Sequence, residues 1–386
     1  MIFTNIYQHI DKHSKLYFRF WANCILVKGY CKGVIFDLQR NRRIEVSKYF
    51  CDFYNDYKYT DITTIASDET FESKESYFKM LDYFIKNDFG ILTDNLETLP
   101  DLSMEYDSPY LVTNVVVETD SNTKQDLMFE IVGILSKGQV QAVQINDHGQ
   151  MTLSQLERLG DIISNSQIEC IHVYTLYSQI EILKLRNFIM ENSRFRSVVF
   201  MGSPEDNCIE IEEMGFARLE YKTNIIDFSS CGNVSKDLFV YDSNHFFEAH
   251  TYNTCLNRKV YISLNGFVRN CPLMNNDFGN IRQLSLRDIV NLPGFQVLWR
   301  ICKDRIDVCK DCEYRFVCTD CRYYIKDKNN ITSQPSKCKY NPYIGKWEGE
   351  HGYVSVEKCG TYSPETGFVP DYCYLEDING QLDKDD

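Results

Sequence analysis

The 386-residue sequence lacks most of the short motifs that identify enzymes. It contains no GxxxxGK or GxGxxG loop, so it gives no support for intrinsic ATP or dinucleotide binding. It also contains no HExxH or GxSxG motif. No apolar run approaches the roughly 18 residues of a membrane-spanning helix. The sequence therefore gives no sign of a nucleotide-binding enzyme, of a hydrolase with one of these motifs or of a membrane-spanning protein.

Basic residues are fewer than acidic ones: the sequence has 41 Lys and Arg and 55 Asp and Glu, which gives a net charge of −14. This balance argues against nonspecific binding to nucleic acid or to an anionic membrane, because both would repel the chain. The first residues show no basic segment followed by an apolar stretch, so we expect a cytoplasmic protein. The length allows two or three domains, and 44% apolar residues allow each a core.

Cysteine, in contrast, is abundant: eight of the 16 cysteines lie between Cys255 and Cys338. In a reducing compartment a tight cysteine group indicates metal binding rather than disulfides. Cysteines spaced CxxC can share one metal or cluster because a tight turn points both sulfurs inward. The pattern consists of Cys255, Gly266, Cys271, Cys309, Cys312, Cys318, Cys321 and Cys338.

The spacing inside this pattern distinguishes two kinds of metal site. Only five residues separate Cys312 from Cys318, whereas a zinc ribbon uses a loop of about 15–20 residues between its CxxC pairs. Seven thiols in this irregular order favour interleaved iron–sulfur clusters over one tetrahedral zinc ion. Zinc remains the alternative.

This spacing resembles the SPASM domain found at the C-terminus of many radical-SAM peptide-modifying enzymes, except that Cys318 and Cys321 are separated by two residues where three are usual. The resemblance implies two auxiliary [4Fe–4S] clusters. The first would be bound by Cys255, Cys271 and Cys321. The second would be bound by Cys309, Cys312, Cys318 and Cys338. The first cluster would keep one iron open to substrate or to a further ligand, for which the candidates are Cys302, His250 and His245.

The text around the cysteines resembles a narrower family, the SPASM-domain peptide maturase of the grasp-with-spasm system. The similar segments are NCP at 270–272, KDRI at 303–306, CKDCEYR at 309–315 and DCR at 320–322. This resemblance implies two partners, an ATP-grasp peptide ligase and a precursor peptide. Arg315 and Arg322 stand beside the thiols, where they balance cluster charge or form ordinary ion pairs.

The triad that defines a functional radical-SAM enzyme is missing. Such enzymes hold their first cluster with CxxxCxxC after the first barrel strand, but this chain reads TDSNTKQ at 119–125. CxxxCxxC occurs nowhere in the sequence. We therefore expect no S-adenosylmethionine and no radical-SAM activity. The chain is then either a peptide maturase of another kind or a non-catalytic accessory protein.

Residues 1–105 are predicted to form a winged-helix-like unit. Apolar runs at 16–27 and 34–38 flank a Gly-bracketed loop and predict a hairpin. Two aromatic helical faces and a short strand near 89–92 follow. The unit resembles the RiPP recognition element, which captures a leader peptide as an added strand. The predicted edge is 34–38, and the expected peptide-binding residues are Val34, Ile35, Phe36, Phe78 and Leu81.

Residues 106–230 alternate between strands and helices. Predicted strands at 111–118, 139–145, 168–175 and 197–201 are separated by helices, which indicates an α/β fold with a parallel sheet. About four such units fall short of a full barrel and predict a degenerate, partial radical-SAM-like (β/α) barrel or an open sheet. We expect the cysteine-rich SPASM domain at 231–360 and a solvated tail at 361–386.

Side chains at the predicted strand ends give weaker signals. Asp147 and His148 follow one strand, and Glu118 and Asp120 close another, where barrel enzymes place catalytic groups. Ordinary surface loops are the favoured explanation for these residues. The main hypothesis is a maturation protein for a ribosomally made, modified peptide, which binds the leader and acts with the ligase. The alternatives are a redox enzyme that uses both clusters on a peptide and a zinc-stabilised interaction module.

Overall fold

The computed structural model describes residues 15–68, 74–215, 217–363 and 365–385. The chain forms two compact units, each built from separate stretches of sequence. One unit contains residues 1–106, 232–252 and 301–386, and the other contains 107–231 and 253–300. The four segments expected from the sequence remain a prediction about domain boundaries. No helix among the described residues is both long and apolar enough to cross a bilayer.

The N-terminal part of the first unit contains antiparallel strands followed by helices. Its described elements are β1 (Tyr17–Phe20), β2 (Cys24–Lys28), β3 (Lys32–Asp37), β4 (Arg42–Ser47), α1 (Lys48–Tyr57), α2 (Ile62–Ser67), α3 (Lys74–Lys86) and β5 (Gly90–Thr93). Helix α1 begins where it does because the Ser47 hydroxyl accepts a hydrogen bond from the Phe50 amide. The predicted hairpin, both aromatic helices and the short strand are confirmed.

Strand β3 is the middle strand of its sheet, with β2 on one side and β4 on the other. Pairing with β4 runs from Lys32↔Ser47 to Asp37↔Arg42. The prediction that 34–38 forms a free edge is therefore wrong. Strand β4 was not predicted from the sequence, although Ile44 and Val46 alternate there with the polar residues 43, 45 and 47. Since both sides of β3 already carry backbone hydrogen bonds, an added peptide strand has no place beside it.

This three-stranded sheet is buried on both faces within the first unit. On one face Ile35 and Val46 pack with the aromatic side chains of α1 and α3. On the other face Val34 and Phe36 pack with side chains of the cysteine-rich segment, among them Tyr314. The N-terminal sheet thus forms one wall of the region that carries the C-terminal cysteines.

The second unit is dominated by a parallel sheet. Its elements up to residue 222 are β6 (Val112–Thr119), α4 (Gln125–Leu135), β7 (Val140–Asp147), α5 (Leu153–Ile163), β8 (Cys170–Leu176), α6 (Ile182–Glu191), β9 (Phe195–Met201), β10 (Asn207–Ile211) and β11 (Ala217–Lys222). Near-continuous apolar strands between helices form parallel sheets because both strand faces are buried. The predicted alternation is confirmed to within a few residues at each boundary.

The chain then adds α7 (Ser243–Thr251) to the first unit and β12 (Lys259–Ile262), β13 (Val268–Arg269) and α8 (Leu286–Val290) to the second. Within the described residues this sheet has eight strands in the order β10-β11-β9-β8-β7-β6-β12-β13. Strands β6 to β9 are neighbours in chain order and parallel. The outer strands β10 and β13 pair antiparallel to their neighbours. The fold is therefore mixed α/β with a mostly parallel sheet.

The C-terminal part of the first unit is mainly turns with short hairpins. Its elements are β14 (Tyr340–Asn341), β15 (Lys346–Trp347), β16 (Gly360–Ser363), β17 (Gly367–Pro370) and α9 (Tyr372–Asp385). The prediction of a solvated tail from residue 361 is wrong, because Phe368 and Leu375 are buried in a small apolar cluster with Tyr343. The prediction relied on the charged residues 383–386 and did not take account of Phe368 and Leu375.

Candidate metal centre

Four cysteines of the first unit line a single cavity: Cys309, Cys312, Cys318 and Cys338. These are the four residues expected to bind the second cluster. Tight turns place three of them, since Cys312 N donates to Cys309 O at 3.0 Å and Cys318 N donates to Tyr314 O at 3.1 Å. Val308, just before the first of them, has a φ of +68°, a left-handed conformation that starts the turn.

The walls of this cavity are aromatic and are fixed by hydrogen bonds. Tyr314 and Tyr340 both line it. The Tyr314 hydroxyl donates to Glu45 on β4, and the Tyr340 hydroxyl donates to Glu313. Burial raises the pKa of Glu313 to about 7. The two tyrosines therefore hold the cavity wall against the N-terminal sheet as well as against the cysteine segment.

A buried lysine lies among the thiols. The Lys303 ammonium is 3.9 Å from Cys309 Sγ and 3.7 Å from Cys318 Sγ. Its side chain is 4% exposed. Burial alone would lower the pKa of Lys303, but Cys309, Cys318 and Asp320 outweigh this effect and raise it above the ordinary value. The lysine is thus a charged group that faces sulfur inside the protein.

Asp320 and Arg322 complete a buried charge network. Asp320 Oδ1 lies 3.7 Å from the Lys303 ammonium and also accepts from the Arg322 guanidinium. Arg322 further donates to the carbonyls of Ile331 at 3.0 Å and Ser333 at 2.9 Å. Of the two arginines noted in the sequence, Arg322 is buried, whereas Arg315 forms a half-exposed pair with Asp304.

Three of the four cavity thiols hold their protons more tightly than a free cysteine does. Burial raises the pKa of Cys309 to about 12 and raises the pKa of Cys312 and of Cys318. A metal binds the thiolate, so its binding must release protons and must become weaker as pH falls. Lys303 and Arg322, which share only the Asp320 carboxylate, would offset part of the negative charge of thiolates at this site.

The polar atoms around the cavity agree with a bound group. Gln334 Oε1 and Trp347 Nε1 are buried and have no hydrogen-bond partner among the described residues, and both residues line the cavity. Buried polar groups are rarely left unpaired in native proteins. Within the described ranges, no three His, Cys, Asp or Glu side chains form a site for a single ion. The four-thiol lining, the Lys303 ammonium and the Trp347 N–H donor fit an anionic cluster, whereas the Gln334 oxygen is an acceptor that such a cluster would leave unpaired.

The cysteines expected for the first cluster are divided between the units. Cys255 and Cys271 belong to the second unit and pack at the edge of its core. Gly266, which has a φ of +84°, turns the chain between β12 and β13 and so delivers Cys271 just after β13. Cys321 is buried in the first unit. Shared ligation by these three residues remains a prediction.

The candidates for the missing ligand have other roles or contacts. The His250 ring stacks on Phe316 at 3.7 Å between centroids, and its Nδ1 donates to Phe246 O at 2.8 Å. Burial lowers the pKa of His250. His245 follows the helix cap Asp242, and Cys302 is buried before a short turn. His250 is therefore held as a structural side chain of the first unit.

The expected peptide-binding residues all lie in the core. Val34, Ile35, Phe36, Phe78 and Leu81 are each 0% exposed. A peptide cannot touch these side chains unless the elements that cover them move. Direct peptide contacts by these five residues are therefore not supported by the structure.

Two strand-end groups of the second unit behave differently from each other. Asp147 is fully buried and accepts from Ser121 Oγ at 2.8 Å and Thr175 Oγ1 at 2.7 Å, so it ties the end of β7 to β8 and to the loop after β6. Glu118, 4% exposed, accepts from the ring of the half-exposed His148 and from Asn146 Nδ2 at 2.8 Å. Asp120 is hydrogen-bonded to Thr123 at the surface.

Comparison with known proteins agrees with the cysteine pattern. Residues 254–313 match the SPASM family, an iron-sulfur cluster-binding domain. This segment includes the first five cysteines after residue 254 and ends before Cys318, Cys321 and Cys338. No curated protein matches the chain in sequence. The chain therefore contains a segment similar to an iron-sulfur cluster-binding domain.

Two crystal structures of SuiB from Streptococcus suis also align with the chain. The structure of SuiB alone covers 82% of this chain and 97% of its own, at 12% identity and a TM-score of 0.28. The structure of SuiB bound to its precursor peptide SuiA covers 83% and 97%, at 10% identity and a TM-score of 0.30. Similarity at this level does not establish a shared fold.

Sequence reasoning missed the charged and polar part of this centre. No spacing pattern in the sequence marks Lys303, Asp320 or Gln334. The fold brings these three residues close to the thiols. The available signal was the segment at 303–306, where a lysine precedes a cysteine block by six residues. Lysine side chains are ordinarily exposed, so nothing in the sequence indicated that Lys303 would be buried beside the thiols.

Proposed function

We propose that this chain is a maturation protein for a ribosomally synthesised, post-translationally modified peptide, and that it holds [4Fe–4S] clusters in its C-terminal region. The observation that carries the proposal is the single cavity lined by Cys309, Cys312, Cys318 and Cys338. The SPASM match over residues 254–313 supports the same conclusion. The resemblance of the cysteine segments to grasp-with-spasm maturases supports the peptide as substrate.

The four cavity cysteines would bind one cluster, and Cys255, Cys271 and Cys321 would bind another. A bound cluster supplies either folding free energy to a turn-rich segment or a one-electron redox centre. The chain's own residues do the rest: the tyrosines fix the wall, and the buried cations balance charge. Because the CxxxCxxC triad is missing, the proposal does not include S-adenosylmethionine cleavage by this chain.

The N-terminal part is proposed to bind the leader of the precursor as a winged-helix-like recognition element. Because β3 is internal, strand addition must use one of the sheet's edge strands, β2 or β4. On β4, Arg43, Glu45 and Ser47 are exposed, which suits a polar leader segment. The second unit is proposed to be a partial barrel, since β6 to β9 follow one another in chain order.

An ATP-grasp ligase is the proposed partner that forms the new bond, in the cytoplasm. The test begins with the genes beside this one, which should encode a ligase and a short peptide. The synthetic peptide is then titrated against the full chain purified without oxygen, with a scrambled peptide as the control. We expect saturable binding of the leader half only. Equal binding of both peptides, or binding of neither, contradicts the proposed role.

A further inference from the structure

Two buried basic side chains near the cysteine cavity, Lys303 and Arg322, share a single acidic partner, Asp320. Lys303 and Arg322 are 4% and 1% exposed, and both interact with the carboxylate of Asp320. Buried cations are costly unless they are paired. One carboxylate shared by two cations leaves net positive charge beside Cys309 and Cys318, and this charge faces sulfur.

We propose that Lys303 is a positioning residue for the metal group of this cavity, donating N–H···S hydrogen bonds to Cys309 and Cys318 and thereby stabilising the more negative, reduced state. Asp320 holds the ammonium in place, and Arg322 holds Asp320. The inference rests on the proposed iron–sulfur function and adds to it a residue outside the cysteine pattern. Hydrogen bonds to sulfur and local charge both set the potentials of iron–sulfur clusters.

The geometry argues against an ordinary buried ion pair. A buried group of two bases and one acid can serve folding alone, but folding gives no reason for the ammonium to contact sulfur. Here the ammonium is as close to Cys318 Sγ as it is to Asp320 Oδ1, 3.7 Å in both cases. Cys309 Sγ follows at 3.9 Å. The lysine is thus directed at two ligands that lie nine residues apart in the chain.

Substitutions of opposite charge give effects of opposite sign. Lys303→Met removes a positive charge and two hydrogen bonds, so the reduction potential of the cavity group should become more negative. Asp320→Asn removes a negative charge, so the potential should become more positive. Lys303→Arg keeps the charge and should restore a potential close to that of the unchanged protein. A role in folding alone cannot produce this ordered pair of shifts.

The experiment uses full-length protein purified without oxygen and titrated with redox mediators under electron paramagnetic resonance. The signal of this cavity is assigned by its loss in Cys338→Ser. Lys310→Met is the matched control, because Lys310 is exposed on the same segment and should leave the potential unchanged. Equal potentials in Lys303→Met, Asp320→Asn and the unchanged protein would overturn the inference.

A second measurement is the rate at which a chelator removes metal from each variant at constant pH. Loss of a group that orients metal ligands typically weakens binding by about 10–100-fold. We therefore expect Lys303→Met to lose metal about tenfold faster or more, and Lys303→Arg to lose it more slowly than Lys303→Met. If the protein holds zinc instead of iron, the proposed iron–sulfur function fails while this rate still decides the role of Lys303. An unchanged rate, or a protein that binds no metal, overturns it.

Discussion

Gly232 lies directly against Cys321: a Cβ built on Gly232 would stand 3.0 Å from Cys321 Cβ and 3.3 Å from its Sγ. The φ of Gly232 is +75°, a conformation that side chains with a Cβ rarely adopt. Both facts require glycine at this position. Cys321, a predicted ligand of the first cluster, is therefore positioned by a close backbone approach from a distant part of the chain.

Replacing Gly232 by alanine should destabilise the first unit. The strained backbone alone costs about 1–2 kcal/mol, and the clash with Cys321 adds to it. Denaturant unfolding of Gly232→Ala measures the change. The matched control is Gly133→Ala, since Gly133 lies within α4 with no atom within 4 Å of a new Cβ. That variant should be more stable by up to about 1 kcal/mol. Equal stabilities would contradict the close approach.

Phe36 connects the N-terminal sheet to the cysteine cavity. It is 0% exposed and lies 6.0 Å, ring to ring, from Phe246, in the apolar cluster that also contacts Cys312 and Cys318. Phe36→Ala should lower stability by about 3–5 kcal/mol, the usual cost of a cavity of this size. It should also speed the loss of metal to a chelator.

The control for Phe36→Ala is Tyr49→Ala, because Tyr49 is 50% exposed on α1. Thermal unfolding and chelator kinetics of the two variants are compared with those of the unchanged protein. If Phe36→Ala lowers leader binding without affecting stability, then Phe36 is a peptide contact and its assignment to the core is wrong.

Asp37 makes the stability of the first unit depend on pH. Burial by itself would raise its pKa, but hydrogen bonds from Arg42 and Arg40 outweigh burial and lower it. A folded-state pKa below the unfolded value of about 3.9 means that the stabilisation is complete well above that pH. It is lost as pH falls through the unfolded and then the folded pKa.

Asp37→Asn should therefore lower stability by about 2 kcal/mol at neutral pH, since it removes charged hydrogen bonds from a buried site. The difference from the unchanged protein should shrink as pH is lowered below about 4. Urea unfolding at a series of pH values measures both effects. Asp94→Asn, at an exposed carboxylate, is the control and should change neither. A difference that is constant with pH would contradict the charged state of Asp37.

Sequence periodicity predicted the parts of the fold in which each element has its own apolar face. Strands β6 to β9 and helices α4 to α6 are of this kind, and their burial accounts for the apolar periodicity of the sequence. Strand β4 was missed because only two apolar residues, Ile44 and Val46, alternate with its polar side chains, and so short a pattern does not stand out in a charged segment. Because β4 pairs with the side of β3 that β2 leaves open, β3 has no free edge, and the predicted peptide edge was wrong.

The candidate site was predictable only as far as cysteine spacing extends. Spacing singled out seven cysteines, the SPASM resemblance grouped four of them, and the fold brings those four to one cavity. It did not reveal Lys303 or Asp320, because a charged residue is buried only when tertiary structure supplies its partner, and no local pattern encodes that partner. The apolar contacts of α9 were hidden in the same way by its charged end.

The most direct test counts iron and acid-labile sulfide in full-length protein purified without oxygen. The unchanged chain should hold about eight irons, as two [4Fe–4S] clusters do, and Cys309→Ser with Cys312→Ser should lose about four. Cys208→Ser with Cys373→Ser, at two exposed cysteines, should lose none. A folded protein without iron, or one whose iron content is unchanged when the cavity cysteines are replaced, would contradict the assignment of these thiols as cluster ligands.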